Sequence, residues 1–153
     1  MNRTFVLLGA LAAFGIGTAQ AEVAPANCQS VKQEDVIALF ERWNDTLKTG
    51  DAHKVAALYA DDAILLPTVS KTPRLTTDEK VDYFEHFLKD RPIGTLDTSH
   101  VQLTCNNALH TGLYTFRFAA TNAEVKARYT FTYRWNGEQW LISSHHSSLL
   151  PST

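Results

Sequence analysis

The sequence predicts an α+β fold, with three N-terminal helices laid against one face of a strongly curved antiparallel sheet. Up to about Lys89, apolar residues recur every three or four positions, as helices require. Beyond that point they alternate in strand fashion, and Thr, Tyr, Phe and Val are enriched. The order matters as well: a run of helices succeeded by a run of strands argues against alternating βα units.

The first 21 residues stand apart from this pattern. MNRTFVLLGALAAFGIGTAQAEVAP has a positive start at Arg3, an apolar run from Phe5 to Ile16, and the small-residue close Ala19-Gln20-Ala21. This reads as a signal peptide over 1–21, cut before Glu22. The run is short of the ~20 apolar residues that a bilayer span needs. A single domain over 22–153 is therefore expected, exported to the periplasm or secreted, with no membrane attachment after cleavage. Cleavage removes Arg3 alone and takes the formal charge from −2 to −3. That balance points to neither nucleic acid nor anionic membranes as partners.

The first helix is expected from Cys28 to Thr49, with Val36, Ile37, Phe40, Trp43 and Leu47 as its apolar stripe. Gly50 stops it, in the position after a helix that glycine favours. Asp51 caps a shorter helix through Tyr59. Ala63 to Pro67, AILLP, reads as a short buried strand. Thr76 and Glu79 form a T-x-x-E capping box that opens the third helix, with Val81, Phe84, Phe87 and Leu88 inward. Four strands come next: SHVQLTC, LHTGLYTFRFAA, EVKARYTFTYRW and QWLISSHHS. Asn136-Gly137 is a hairpin signal. Asn106-Asn107 and Thr121-Asn122 mark the other turns.

Cys28 and Cys105 are the two cysteines. In an oxidising compartment a disulfide would tie the N-terminal segment to a strand; two free buried thiols are the alternative. No C-x-x-C is present, which argues against a redox role.

The histidine pair in QWLISSHHSSLLP poses a sharper question. Neighbours on a strand point to opposite faces, so without a bulge His145 and His146 cannot chelate one metal together. No H-x-H or H-E-x-x-H spacing accompanies them, and neither metal nor other cofactor is expected.

ERWNDTLKTGDAHKVAALYADDAILLP resembles the opening of the nuclear transport factor 2-like superfamily, a cone of helices on a bent sheet that includes ketosteroid isomerase and SnoaL-like cyclases. LYTFRF, ARYTFTYRWNGEQW and HHSSLLP resemble the association domain of calcium/calmodulin-dependent protein kinase II and its exported bacterial SgcJ/EcaC-type relatives. In that register His146, Ser148 and Pro151 coincide with the domain's His, Ser and Pro. The resemblance implies a homodimer through the sheet face. It implies no calmodulin binding, because that domain builds the kinase's hub and this chain has no basic calmodulin-target helix.

The same register sets a pocket. It puts His145 and Ser147 inward and His146 and Ser148 outward. It also makes Arg117 a pocket arginine, with Arg128 on the same face, and a guanidinium fork suits a carboxylate. Internal ion pairs to Glu41, Asp61, Asp62 or Glu124 are the alternative for both arginines. Trp43, Tyr59 and Tyr129 would supply walls. The expectation is an exported binding and oligomerisation module whose pocket receives a small organic anion. The alternative is a small cofactor-free isomerase, cyclase or hydratase using His145 as acid and base. Leu66 stands where the isomerase-type carboxylate base would be wanted, which weighs against catalysis.

Overall fold

The computed structural model describes residues 27–151. The expected signal peptide lies outside them. Helix α1 (Gln33–Leu47) buries Val36, Phe40, Trp43, Asn44 and Leu47 on one stripe. Its start is fastened by the Asp35 carboxylate, which accepts the Lys32 N–H at 2.9 Å. The helix begins later than Cys28 because that segment is an extended strap. Cys28 is disulfide-bonded to Cys105, and the Gln29 N–H donates to Asn106 Oδ1 at 2.8 Å. The bridge closes a long loop and contributes about 2–4 kcal/mol. Gly50, at φ 69°, ends α1.

Helix α2 (Ala52–Ala56) is capped by Asp51, whose Oδ1 accepts the Lys54 N–H at 3.1 Å. Tyr59, expected at the end of this helix, instead opens strand β1 (Tyr59–Leu66). The Ile142 N–H donates to the Leu58 carbonyl and draws the chain into the sheet one turn early. Helix α3 (Thr77–Phe87) carries the expected capping box and runs into a 3-10 turn, Leu88–Asp90. Strands β2 (Pro92–Thr104), β3 (Asn107–Phe118), β4 (Ala123–Trp135) and β5 (Trp140–Leu149) complete the fold.

The sheet order is β1-β5-β4-β3-β2. β2 to β5 form the antiparallel meander, and β1 lies parallel to β5 at one edge. Register shifts at Leu96/Thr98 and Thr132/Tyr133 bend the sheet, as bulges do. β2 begins at Pro92 rather than Ser99. An edge strand tolerates a proline at its first position. Gly94, two residues on, is packed against α1: an added Cβ would lie 3.2 Å from Asn44 Oδ1 and 3.3 Å from the Phe40 ring. The Asn44 amide holds the Gly94 N–H and carbonyl, each at 2.8 Å. One buried side chain thus pins helix to sheet.

The concave face takes alternate residues of each strand. Tyr114 and Phe116 on β3, Ala127, Tyr129, Phe131 and Tyr133 on β4, and Ile142 on β5 are buried against Phe40 and Trp43. The fold expected from the sequence, helices on a curved, mainly antiparallel sheet, is the fold observed.

Candidate functional site

The helices do not fill the concave face evenly. At one end Phe40 packs within 6.4 Å of the rings of His110, Tyr114, Tyr129 and Phe131 and closes the space. At the other end α3 stands away from the sheet and leaves a cavity of about 770 Å³. Its walls are mainly aromatic and aliphatic: Trp43, Tyr83, Phe84, Phe87, Phe116 and Phe118. Val69 and Leu149, 69% and 58% exposed, form an apolar lip. A space of this size and lining suits a small organic molecule.

His145 lines the floor and is 4% exposed. Phe131 stacks on its ring with centroids 3.9 Å apart, and Trp43 meets it edge-on at 5.4 Å. Burial pushes its pKa down to about 3, helped by the charge of neighbouring His146, so the imidazole is neutral near pH 7. Its Nδ1 lies 2.9 Å from the Tyr59 hydroxyl, which also accepts the Trp43 indole N–H at 3.1 Å. Its Nε2 is buried and has no partner among the described residues.

Two residues along β5, Ser147 also lines the cavity. Tyr114 donates its hydroxyl to Ser147 Oγ at 2.5 Å, and Thr68 Oγ1 lies 2.5 Å from the same atom. Arg74 is the arginine of the wall. Its guanidinium binds Asp82 at 2.6 Å and lies over the Tyr83 ring at 5.9 Å, while its Nε is buried without a partner among the described residues.

The expected site residues divide. Trp43, His145 and Ser147 line the cavity together, and His146 points outward. Tyr59 stands behind His145 as its hydrogen-bond partner rather than in the wall. Tyr129 is buried in the packed end, donating to the Thr98 carbonyl at 3.0 Å and lying 2.8 Å from His110 Nε2. Arg117 and Arg128 correct the expectation of a pocket arginine pair. Both are exposed, on the convex face. Phe116 and Phe118 flank Arg117 and lean into the cavity; Ala127 and Tyr129 flank Arg128 and are buried. Strand alternation then sends both guanidinium groups outward. Neither makes an ion pair within 4.0 Å among the described residues; Asp62 pairs instead with Arg134 at 2.7 Å. Leu66 is also outward, 39% exposed, and Leu65 and Pro67 hold the wall in its place.

The polar wall residues missed by sequence reasoning include Thr68, Arg74, Asp82, Tyr83 and Tyr114. Tyr114 was legible from its alternation with Phe116 and Phe118. Thr68 and Arg74 were not, because they sit on the loop between β1 and α3. A backbone bridge between Leu65 and Arg74 folds that loop over the cavity.

At the floor of the cavity His145 acts as a hydrogen-bonding group, while the carboxylates of the wall, Asp82 and Asp90, stand on and just after α3. Nδ1 of His145 is engaged by Tyr59, and a pKa of about 3 leaves no imidazolium at neutral pH to act as acid. A neutral imidazole can still polarise an oxygen.

The family model for the calcium/calmodulin-dependent protein kinase II association domain matches residues 32–151. A Xanthomonas campestris protein, provisionally named as such a domain, is 41% identical over 81% of this chain and 91% of its own, with a TM-score of 0.77. A nuclear transport factor 2-like protein of unknown function from Pseudomonas putida is 20% identical, over 79% and 88%, with a TM-score of 0.69. A Streptomyces avermitilis protein provisionally named a dehydratase of that superfamily is 16% identical, over 78% and 96%, at 0.70. The last two share the fold. No curated protein matches the chain. With the family model spanning nearly every described residue, the chain belongs to the calcium/calmodulin-dependent protein kinase II association domain family.

Proposed function

We propose that this chain is an exported small-molecule-binding module that holds an organic ligand with a largely apolar body in the cavity between α3 and the sheet. The carrying observation is the pairing of a roughly 770 Å³ aromatic-walled cavity with a buried, unpartnered histidine nitrogen on its floor. Unpaired buried polar atoms cost free energy, so their presence at a cavity favours a ligand that satisfies them. The anionic ligand first expected rested on Arg117 and Arg128. With both on the convex face, the wall retains Arg74, and Asp82 already neutralises it.

Export is supported by the Cys28–Cys105 bridge and the leader-like first 21 residues. Among the described residues, no helix is long and apolar enough to cross a membrane. Homodimerisation belongs to the same reading, through the convex face where Arg117, Arg128 and His146 lie.

Titration with the neutral fluorophore N-phenyl-1-naphthylamine tests the cavity. Saturable one-site binding is expected, and Val125→Trp, which puts an indole into the wall, should abolish it. If the wild type gives no saturable binding, the reading is wrong. Analytical ultracentrifugation of the wild type and Arg128→Glu tests the dimer, which should dissociate in the variant.

A further inference from the structure

The protons along the cavity floor can be assigned one by one, and they point to the head group of the ligand. An indole N–H can only donate, so Trp43 donates to the Tyr59 oxygen. The single Tyr59 proton is then free for His145 Nδ1. A neutral imidazole accepting at Nδ1 carries its proton on Nε2. The opposite assignment, Nδ1–H donating to Tyr59, leaves the buried Tyr59 proton and the Nε2 lone pair both unmatched. The first assignment leaves one group unmatched, the Nε2–H.

A second chain runs alongside. Tyr114 donates to Ser147, one proton bridges Ser147 and Thr68, and whichever of these two hydroxyls donates, the proton of the other is left over. Both chains begin in the aromatic core and run to residues that line the cavity, and each keeps one unused donor. His145 and Ser147 sit two positions apart on β5, about 7 Å along the strand. The two donors therefore address two points of one ligand. Full negative charge is poorly served there: His145 is neutral, and the charge of Arg74, whose Nε–H is unpartnered among the described residues, is already balanced by Asp82. An ionised carboxylate would lose its hydration against aromatic walls with no free countercharge.

We propose that the cavity selects uncharged organic compounds through a carbonyl oxygen that accepts the His145 Nε2–H, with the Thr68–Ser147 hydroxyl pair donating to a second oxygen acceptor farther along. Trp43 and Tyr59 are positioning residues that hold the tautomer. This rests on the small-molecule reading above, and the test separates the two.

Calorimetric titration of one skeleton with four head groups provides that test: 4-phenylbutan-2-one, butylbenzene, 4-phenylbutan-2-amine and 3-phenylpropanoate. The ketone should bind about 3- to 10-fold more tightly than each of the others, the worth of one net hydrogen bond. In His145→Phe the ketone should fall to the level of butylbenzene. If ketone and butylbenzene bind alike, the head-group assignment fails and the cavity reading stands. If the carboxylate binds most tightly, selection for an uncharged ligand is wrong. If none binds, both readings fall. The tautomer is tested without any ligand or variant by ¹⁵N-resolved NMR of the imidazole at neutral pH. A protonated Nε2 and bare Nδ1 are expected, and the reverse would overturn the assignment. Tyr59→Phe should shift the resonances toward a tautomer mixture, which a merely structural tyrosine would not do.

Discussion

His110 and His145 are the same residue in nearly the same burial, 0% and 4% exposed, and they serve different ends of one concave face. Burial holds both neutral, with pKa values lowered to about 4 and about 3. Each has one ring nitrogen without a partner among the described residues. At His110 the engaged atom is Nε2, shared by Ser99 at 2.7 Å and Tyr129 at 2.8 Å, and Phe40 covers the ring edge-on. At His145 the engaged atom is Nδ1, and the space beside the ring stays open. The difference shows that an orphaned buried nitrogen does not by itself define a site. What separates the two is whether a helix side chain fills the adjoining space.

Removing the filler should break the comparison most strongly. Phe40→Ala should cost about 3–5 kcal/mol, measured by urea denaturation, because its ring is wholly buried among aromatic neighbours. Phe118→Ala, half-buried on the open side, should cost only about 1 kcal/mol.

Acid sharpens it next. Both histidines have folded-state pKa values below the ordinary 6.5, so the unfolded chain takes up protons that the native chain refuses. Stability is therefore full above about pH 6.5 and falls as pH drops toward the folded-state values, by about 2 kcal/mol for each histidine at about pH 5. In urea titrations across that range, His145→Phe should flatten about half of this slope, leaving the His110 share.

Tyr59→Phe comes third. It strands the Trp43 N–H and His145 Nδ1 together and should lower stability by about 1–3 kcal/mol. Smallest is Ser99→Ala: the serine is exposed and Tyr129 still holds His110, so a loss below about 1 kcal/mol is expected.

Parity was the legible part of the site. His145 and Ser147 were assignable inward and His146 outward because a strand permits two directions. The same rule applied to LYTFRF would have placed Arg117 outward, since Tyr114, Phe116 and Phe118 already claim the inner face. The resemblance to a pocket arginine overrode that local pattern, and the same register misplaced Arg128 beside Ala127 and Tyr129. Tyr59 was misplaced for another reason. Its helix is only five residues long, and a single backbone bond from Ile142 to Leu58 turns the residues after it into strand.

The sequence alone determined the periodicities, the caps at Asp51 and Thr76, and the left-handed turns at Gly50, Asn106, Asn122 and Gly137, because each is written in residues near one another or in one residue's own chemistry. Only tertiary structure decided that α3 would stand off the sheet, that the Thr68–Arg74 loop would fold over the gap, and that Trp43, Tyr59 and His145 would join hands across three elements. Those outcomes depend on how large side chains far apart in the chain share a volume, and no local pattern records whether that volume closes or stays open.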